Sequence, residues 1–129
     1  MRKEKYYRNL FLIGAIWNWS ATTIFFFAYE PIFSLAGMEV PANPLFLRLF
    51  LSLAFVFGIG YYWVSRDIAN NHAIVKLGIM GKLSVFVLMT FYWIEGDVKL
   101  SLVPTGVVDL IFAILYLEFL FYFSSMGKD

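Results

Sequence analysis

The chain contains no cysteine and only one histidine among its 129 residues. The lack of cysteine excludes disulfides, thiolate catalysis and iron–sulfur ligation. With His72 as the single histidine, one chain cannot build a two-histidine haem site or a histidine-rich zinc site. We therefore expect neither a metal nor another cofactor.

Charged residues are also scarce. They make up 15% of the chain and leave a net charge of +1, whereas about a quarter of the residues in a soluble protein are charged. This balance provides no basic surface for nucleic acid. What the chain has instead is 61% hydrophobic and 21% aromatic residues, a composition typical neither of a soluble domain nor of a disordered chain. The composition predicts an integral membrane protein whose main partner is the lipid bilayer.

Four apolar stretches are long enough to cross a bilayer, which takes about 20 residues of helix. They are residues 10–28, 45–64, 73–94 and 101–123. The short connections make consecutive helices antiparallel neighbours. The sequence therefore predicts an all-α fold, a single domain built as a four-transmembrane-helix up-down bundle. The apolar segment 31–40 is too short to span, and it is either a short interfacial helix or an ordered loop.

Basic residues concentrate on one side of the predicted bundle. They are Arg2, Lys3, Lys5, Arg8, Arg66, Lys76 and Lys128. Acidic residues concentrate on the other side, at Glu30, Glu39, Glu95 and Asp97. Because short cytoplasmic loops carry the excess of lysine and arginine, the N and C termini are both predicted to be cytoplasmic.

Ionisable residues also lie inside the predicted spans, where burial in lipid is costly. They are Arg48, Lys76, Lys82, Asp109 and Glu118. At about 1.5 Å per residue, Lys82 lies roughly 14 Å from the cytoplasmic end of the third span. Asp109 lies roughly 8–12 Å from the outer end of the fourth span, depending on where that helix begins. Such residues are functional hypotheses by default.

The register of a hairpin centred near Gly96 matches these charges in pairs. It brings Lys82 to the depth of Asp109, and Lys76 to the depth of Glu118. Asp109 and Glu118 are nine positions apart, about half a turn around a helix, so both cannot face the third helix squarely. We predict Lys82–Asp109 as the central pair and Lys76–Glu118 as a secondary ion pair. A structural role and a functional role both remain open for the central pair.

The first span adds polar side chains at a similar depth. Asn18 lies there between Trp17 and Trp19. An asparagine in a span often hydrogen-bonds to another helix and so holds the helices together. The alternative is that these three residues line one small ligand-binding cavity with Lys82 and Asp109.

Three segments carry a family resemblance. They are "GIGYYWVSRD" (58–67), "IVKLGIMGKL" (74–83) and "VVDLIFAILYLEFL" (107–120). With the four-span pattern, they resemble the DoxX-like small bacterial four-helix membrane proteins. The resemblance implies a multi-pass protein of the cell inner membrane that acts as an accessory subunit. The best-known association of that family is with quinone-linked oxidation of thiosulfate. The resemblance transfers no catalytic residue to this sequence.

Three functions follow as hypotheses. The first is an accessory or ligand-binding bundle whose polar centre holds a hydrophobic small molecule, such as a quinone-like or lipid-like compound. The second is a proton- or ion-coupled carrier that acts as a homo-oligomer and uses Lys82 and Asp109 as a switchable pair. The third is a structural subunit of a larger membrane complex. An enzyme is the least supported class, because the sequence presents no nucleophile–base set and we predict no catalytic residue.

The predicted orientation has a direct test. A reporter that is active only in the cytoplasm, fused to the C-terminus, is expected to be active, because the basic residues hold that side of the bundle inside. A matched fusion in the acidic connection around Gly96 is expected to be inactive. The opposite result for the two fusions would show that the charge rule fails for this chain.

Overall fold

The computed structural model describes residues 2–126, with side chains as far as Ser124. Lys128, which belongs to the predicted basic side, lies outside these residues. The helices are α1 (Arg2–Phe27), α2 (Tyr29–Leu35), α3 (Leu45–Arg66), α4 (His72–Ile94) and α5 (Val103–Met126), with a 3₁₀ turn at Leu100–Leu102. The described part of the chain is all-helical, and α1, α3, α4 and α5 are long and apolar enough to cross a membrane. The predicted fold class is confirmed.

The structure extends the sequence prediction at the start of α1 and in the segment 31–40. Helix α1 begins eight residues before the predicted span, because good helix formers such as lysine, arginine and glutamate fill its first two turns. Arg8 and Glu4 add an ion pair at helical spacing there, with 3.9 Å between the charged atoms. The segment 31–40 was predicted to be either a short helix or an ordered loop. Its first part is the end of α2, and a turn follows at Gly37, where φ is +72°.

The four long helices associate as two antiparallel pairs. Helix α1 packs along α3, and α4 packs along α5. Contact between α3 and α4 includes two glycines close to their connection: Gly60 lies against Ile74, and Gly78 lies against the ring of Tyr61. Since a glycine has no Cβ, the opposing side chain can approach the helix backbone closely. The two pairs are thus joined firmly at the end of the bundle that carries this connection.

Buried aromatic rings fill the same end of the bundle. The largest fully buried side chains are Tyr7, Phe11, Tyr61, Val64, Val75, Tyr116 and Phe119. Phe11 of α1 and Tyr116 of α5 stack with their ring centroids 4.5 Å apart. Aromatic contacts of this kind stabilise a core beyond the area they bury. The main core therefore lies at the end predicted to face the cytoplasm, not at the centre.

The short helix α2 joins the two helix pairs at the opposite end. The backbone N–H of Lys99 donates to the carbonyl of Ala36 at 2.8 Å. The hydroxyl of Ser101 donates to the carbonyl of Leu35 at 2.6 Å. The two pairs are consequently held together at both ends.

Large apolar side chains cover the outside of the molecule. Phe46 is 82% exposed, Phe27 75% and Ile94 71%. A soluble monomer rarely exposes contiguous apolar surface on this scale, whereas lipid tails solvate such surface well. The surface is that expected of a multi-pass membrane protein.

The contact of Gly14 with Tyr116 generates a stability prediction. A Cβ at Gly14 would overlap the buried Tyr116 hydroxyl and lie 3.3 Å from Cζ of the same ring. We expect Gly14→Ala to destabilise the protein by about 1–3 kcal/mol through overpacking. The hydroxyl has no hydrogen-bond partner among the described residues. Adding Tyr116→Phe removes the overlapping atom, so we expect the double variant to recover most of the loss.

Thermal unfolding in detergent micelles measures both effects. Gly81→Ala is the matched control, because a Cβ at Gly81 meets no atom within 4 Å. Equal melting temperatures for Gly14→Ala and the control would contradict the packing described for α1 and α5.

Candidate functional site

An ion pair lies between α4 and α5, about 15 Å from the start of α4 and about 9 Å from the start of α5 at 1.5 Å rise per residue. Nζ of Lys82 donates to Oδ1 of Asp109 at 2.9 Å. Lys82 is 5% exposed and the Asp109 side chain 14% exposed. The structure therefore forms the central pair at the register that the sequence predicts.

Asn18 extends this ion pair into a network. Its Oδ1 accepts a second hydrogen bond from Nζ of Lys82 at 3.1 Å. Its Nδ2 donates to the carbonyl of Ala54 at 2.9 Å. The chain of bonds runs from α3 through α1 and α4 to α5, so one network connects all four spanning helices. Asn18 thus connects helices in the way the sequence suggested.

Two aromatic rings flank the Lys82 ammonium. Nζ lies 5.3 Å from the ring centroid of Tyr61 and 5.1 Å from that of Phe112. These distances suit cation–π attraction, which stabilises a desolvated cation. Sequence reasoning missed both rings, since nothing in their spacing marks them. The nearest signal is Gly78, whose missing side chain makes room for Tyr61.

A cavity of about 350 Å³ adjoins the network between the two helix pairs. Trp17, Asn18, Lys82 and Asp109 all line it, so the structure brings together four of the five residues in the predicted ligand site. Its other walls are predominantly apolar. They include Ala21, Phe25, Phe50, Leu51, Leu53, Ala54, Phe57, Val85 and Met89.

Trp19 is the predicted site residue that does not line the cavity. Its indole occupies the space that Gly58 leaves on α3, and its ring centroid lies 6.2 Å from that of Phe55. The physical reason is helical rotation, because two positions along a helix turn a side chain by about 200° from Trp17. Trp19 therefore belongs to the contact between α1 and α3.

The predicted secondary ion pair does not form. Between residues 2 and 124 the salt bridges are Lys82–Asp109 and the surface pair of α1, and both Lys76 and Glu118 are exposed. Glu118 instead accepts a hydrogen bond from the Tyr7 hydroxyl at 3.2 Å. Once Asp109 faces the centre, a residue nine positions later lies on the opposite side of α5.

Arg48, the remaining ionisable residue within a span, is remote from the cavity. Its guanidinium donates to the carbonyl of Phe26 at 3.3 Å and lies 4.5 Å from the Phe26 ring centroid. A cation at this position stabilises the C-terminal end of α1. Arg48 therefore fixes the outer end of the pair formed by α1 and α3.

No metal centre accompanies the cavity. Among the residues that the structure describes, no three histidine, cysteine, aspartate or glutamate side chains are grouped so that they could hold an ion. The chain matches no protein-family model, no curated protein and no solved structure in the comparisons made with them. The chemistry of the site must therefore be inferred from its own geometry.

The ion pair generates a prediction about stability. Lys82→Met or Asp109→Asn alone leaves one buried charge without its partner, which costs about 3–5 kcal/mol. We expect the double variant to be clearly more stable than either single variant, because no uncompensated charge remains. Thermal unfolding in mixed micelles measures the three variants beside the wild type.

The Arg8–Glu4 pair provides the control. Both of its side chains are partly exposed, so the double variant Glu4→Gln with Arg8→Gln is expected to unfold at nearly the wild-type temperature. Additive losses from the Lys82 and Asp109 substitutions would contradict a direct coupling between the two side chains.

Proposed function

We propose that the chain is a membrane protein that binds a neutral amphipathic molecule, quinone-like or lipid-like, in the cavity between its two helix pairs. The observation that carries the proposal is the position of the Lys82–Asp109–Asn18 network in the wall of a largely apolar cavity. Apolar walls with a few convergent polar groups are typical of small-molecule sites.

The size of the cavity limits what it can hold. At about 350 Å³ it lies near the lower end of the range for small-molecule pockets. A single ring or one end of an acyl chain suits this volume, whereas a whole phospholipid does not. The ligand therefore places one polar ring or head group in the cavity, and any longer tail extends outside it.

Hydrogen-bonding capacity defines the head group. The Lys82 ammonium has three N–H donors, of which Asp109 and Asn18 accept two. The second carboxylate oxygen of Asp109 accepts no hydrogen bond from the described residues. The site thus offers one donor and one acceptor side by side. A carbonyl or a hydroxyl group satisfies both requirements.

Net charge favours a neutral ligand. Lys82 and Asp109 compensate each other, and each is largely buried. A charged head group would bring an uncompensated charge into a region of low dielectric, which is costly. We therefore assign the site to molecules such as quinones, quinols or neutral single-chain lipids. We also propose the bacterial inner membrane and an accessory role, on the resemblance to DoxX-like proteins.

Fluorescence of Trp17 tests the proposal. The protein, with Trp19, Trp63 and Trp93 replaced by phenylalanine so that Trp17 is the single tryptophan, is reconstituted into phosphatidylcholine vesicles and titrated with a benzoquinone that carries one isoprenoid unit. We expect saturable quenching, because Trp17 lines the cavity. In the double variant Lys82→Met with Asp109→Asn, the dissociation constant is expected to rise at least tenfold. Loss of one hydrogen bond to a charged group, worth about 1.5–3 kcal/mol, is enough for that change.

Two controls make the result specific. Replacing the Arg8–Glu4 pair by glutamines removes the same number of charges away from the cavity and should leave the dissociation constant unchanged. A variant in which Trp93 is the single tryptophan should show no saturable component, because Trp93 does not line the cavity. Quenching that rises linearly with quinone concentration in every variant would indicate collisions in the bilayer and would contradict the proposal.

A further inference from the structure

The cavity is not equally enclosed on all sides. Most of its lining residues are buried or half-buried, including all of those on α1 and α5. The exposed ones all lie on α3 and α4: Phe50, Leu53, Gly81 and Ser84. The cavity therefore reaches the outside of the molecule through the gap between these two helices, which we term the lateral opening.

The packing of α3 and α4 explains why the gap exists. Near their connection, glycines let the helices approach, with Gly60 against Ile74 and Gly78 against Tyr61. One turn further along α4, Gly81 meets no side chain from α3, and both helices line the cavity instead. The helices thus touch at one end and separate where the cavity begins.

The depth of the lateral opening determines which solvent it faces. Gly81 lies about 14 Å from the start of α4 and about 20 Å from its end, at 1.5 Å rise per residue. The hydrocarbon core of a bilayer is about 30 Å thick. A gap at this depth on a spanning helix opens into lipid rather than into water.

Gly81 differs from the other described glycines within helices. At Gly14, Gly58, Gly60, Gly78 and Gly106, an added Cβ would lie 3.1 Å or less from a neighbouring side chain. At Gly81 an added Cβ meets no atom within 4 Å, and the helical backbone there does not require glycine. Close helix packing therefore does not account for this glycine, whereas an unobstructed passage does.

We propose that the lateral opening admits an apolar ligand from the bilayer, with Gly81 keeping the passage clear. The identity of the ligand rests on the proposed binding function, but the geometry of the opening does not. In this arrangement the polar head group reaches Lys82 and Asp109, and the apolar tail leaves the cavity between α3 and α4 into the surrounding lipid.

A size series at Gly81 tests the passage. Gly81→Ala, Gly81→Leu and Gly81→Phe are compared by stopped-flow quenching of Trp17 with the same short-chain benzoquinone. Because an added Cβ at Gly81 meets no atom within 4 Å, we expect none of the three variants to lower the melting temperature. We expect the association and dissociation rates both to fall as the side chain grows, with the association rate at least tenfold lower in Gly81→Phe.

Met80→Phe is the matched control. Met80 precedes Gly81 on α4 and is 66% exposed, but it does not line the cavity. Both rates should stay at wild-type values in this variant. Unchanged rates in Gly81→Phe, or equal slowing in Met80→Phe, would overturn the proposal.

A second measurement separates failure of the opening from failure of the binding function. The chain has no cysteine, so Ser84→Cys accepts a single spin label. We expect collisions of this label with lipid-soluble oxygen and protection from a water-soluble nickel chelate. If the wild type shows no saturable quinone binding but the label behaves in this way, the binding proposal fails and the lipid-facing opening stands. Access of the nickel chelate to the label would refute the opening itself.

Discussion

The requirement that a buried ammonium group be paired organises the centre of this bundle. Lys82 lies too deep in α4 for its charge to reach an interface, so its partners must come from neighbouring helices. Asp109 supplies the opposite charge from α5, and Asn18 supplies a second acceptor from α1. The Asn18 amide in turn donates to the carbonyl of Ala54 on α3. The hydrogen bonds that pair the Lys82 ammonium therefore constrain the relative positions of all four spanning helices. In lipid, where apolar side chains gain little from associating, such polar bonds are among the few directional constraints available.

The same requirement accounts for the uneven packing. Aromatic rings fill one end of the bundle, and α2 ties the helix pairs together at the other end. Between these two ends, the Lys82–Asp109–Asn18 network holds the four helices together at one depth, but its side chains do not fill the adjoining cavity. Small residues such as Gly81 and Ala54 line that space and leave it open. The cavity therefore results from two well-joined ends and a central contact made by slender polar side chains.

The length of the apolar stretches predicted the spans, and the position of the turn near Gly96 predicted the Lys82–Asp109 register. Rotation about each helix axis was harder to predict. It sends Trp19 towards α3 instead of the cavity, and it separates Glu118 from Lys76. The side-chain contacts between helices were harder still to predict, because they depend on which helices pack together. Tyr61 of α3 is buried against Gly78 of α4, and neither residue type by itself predicts that contact. A sequence therefore predicts how deep each residue lies in the membrane. The composition of a cavity wall depends also on the rotation of each helix and on which helices pack together.

Two independent features of the site point to the same class of ligand. The compensated charges of Lys82 and Asp109 select against a charged head group, because any added charge would remain unpaired in a medium of low dielectric. The lateral opening, as the entry route that we propose, favours molecules that already partition into the bilayer, because its depth on α4 matches that of the hydrocarbon. A molecule that meets both conditions is uncharged, mostly apolar and equipped with one group that exchanges hydrogen bonds. Either feature alone would admit a wider range, from fatty acids to uncharged polar solutes. Together they favour the neutral amphiphiles that we propose as ligands.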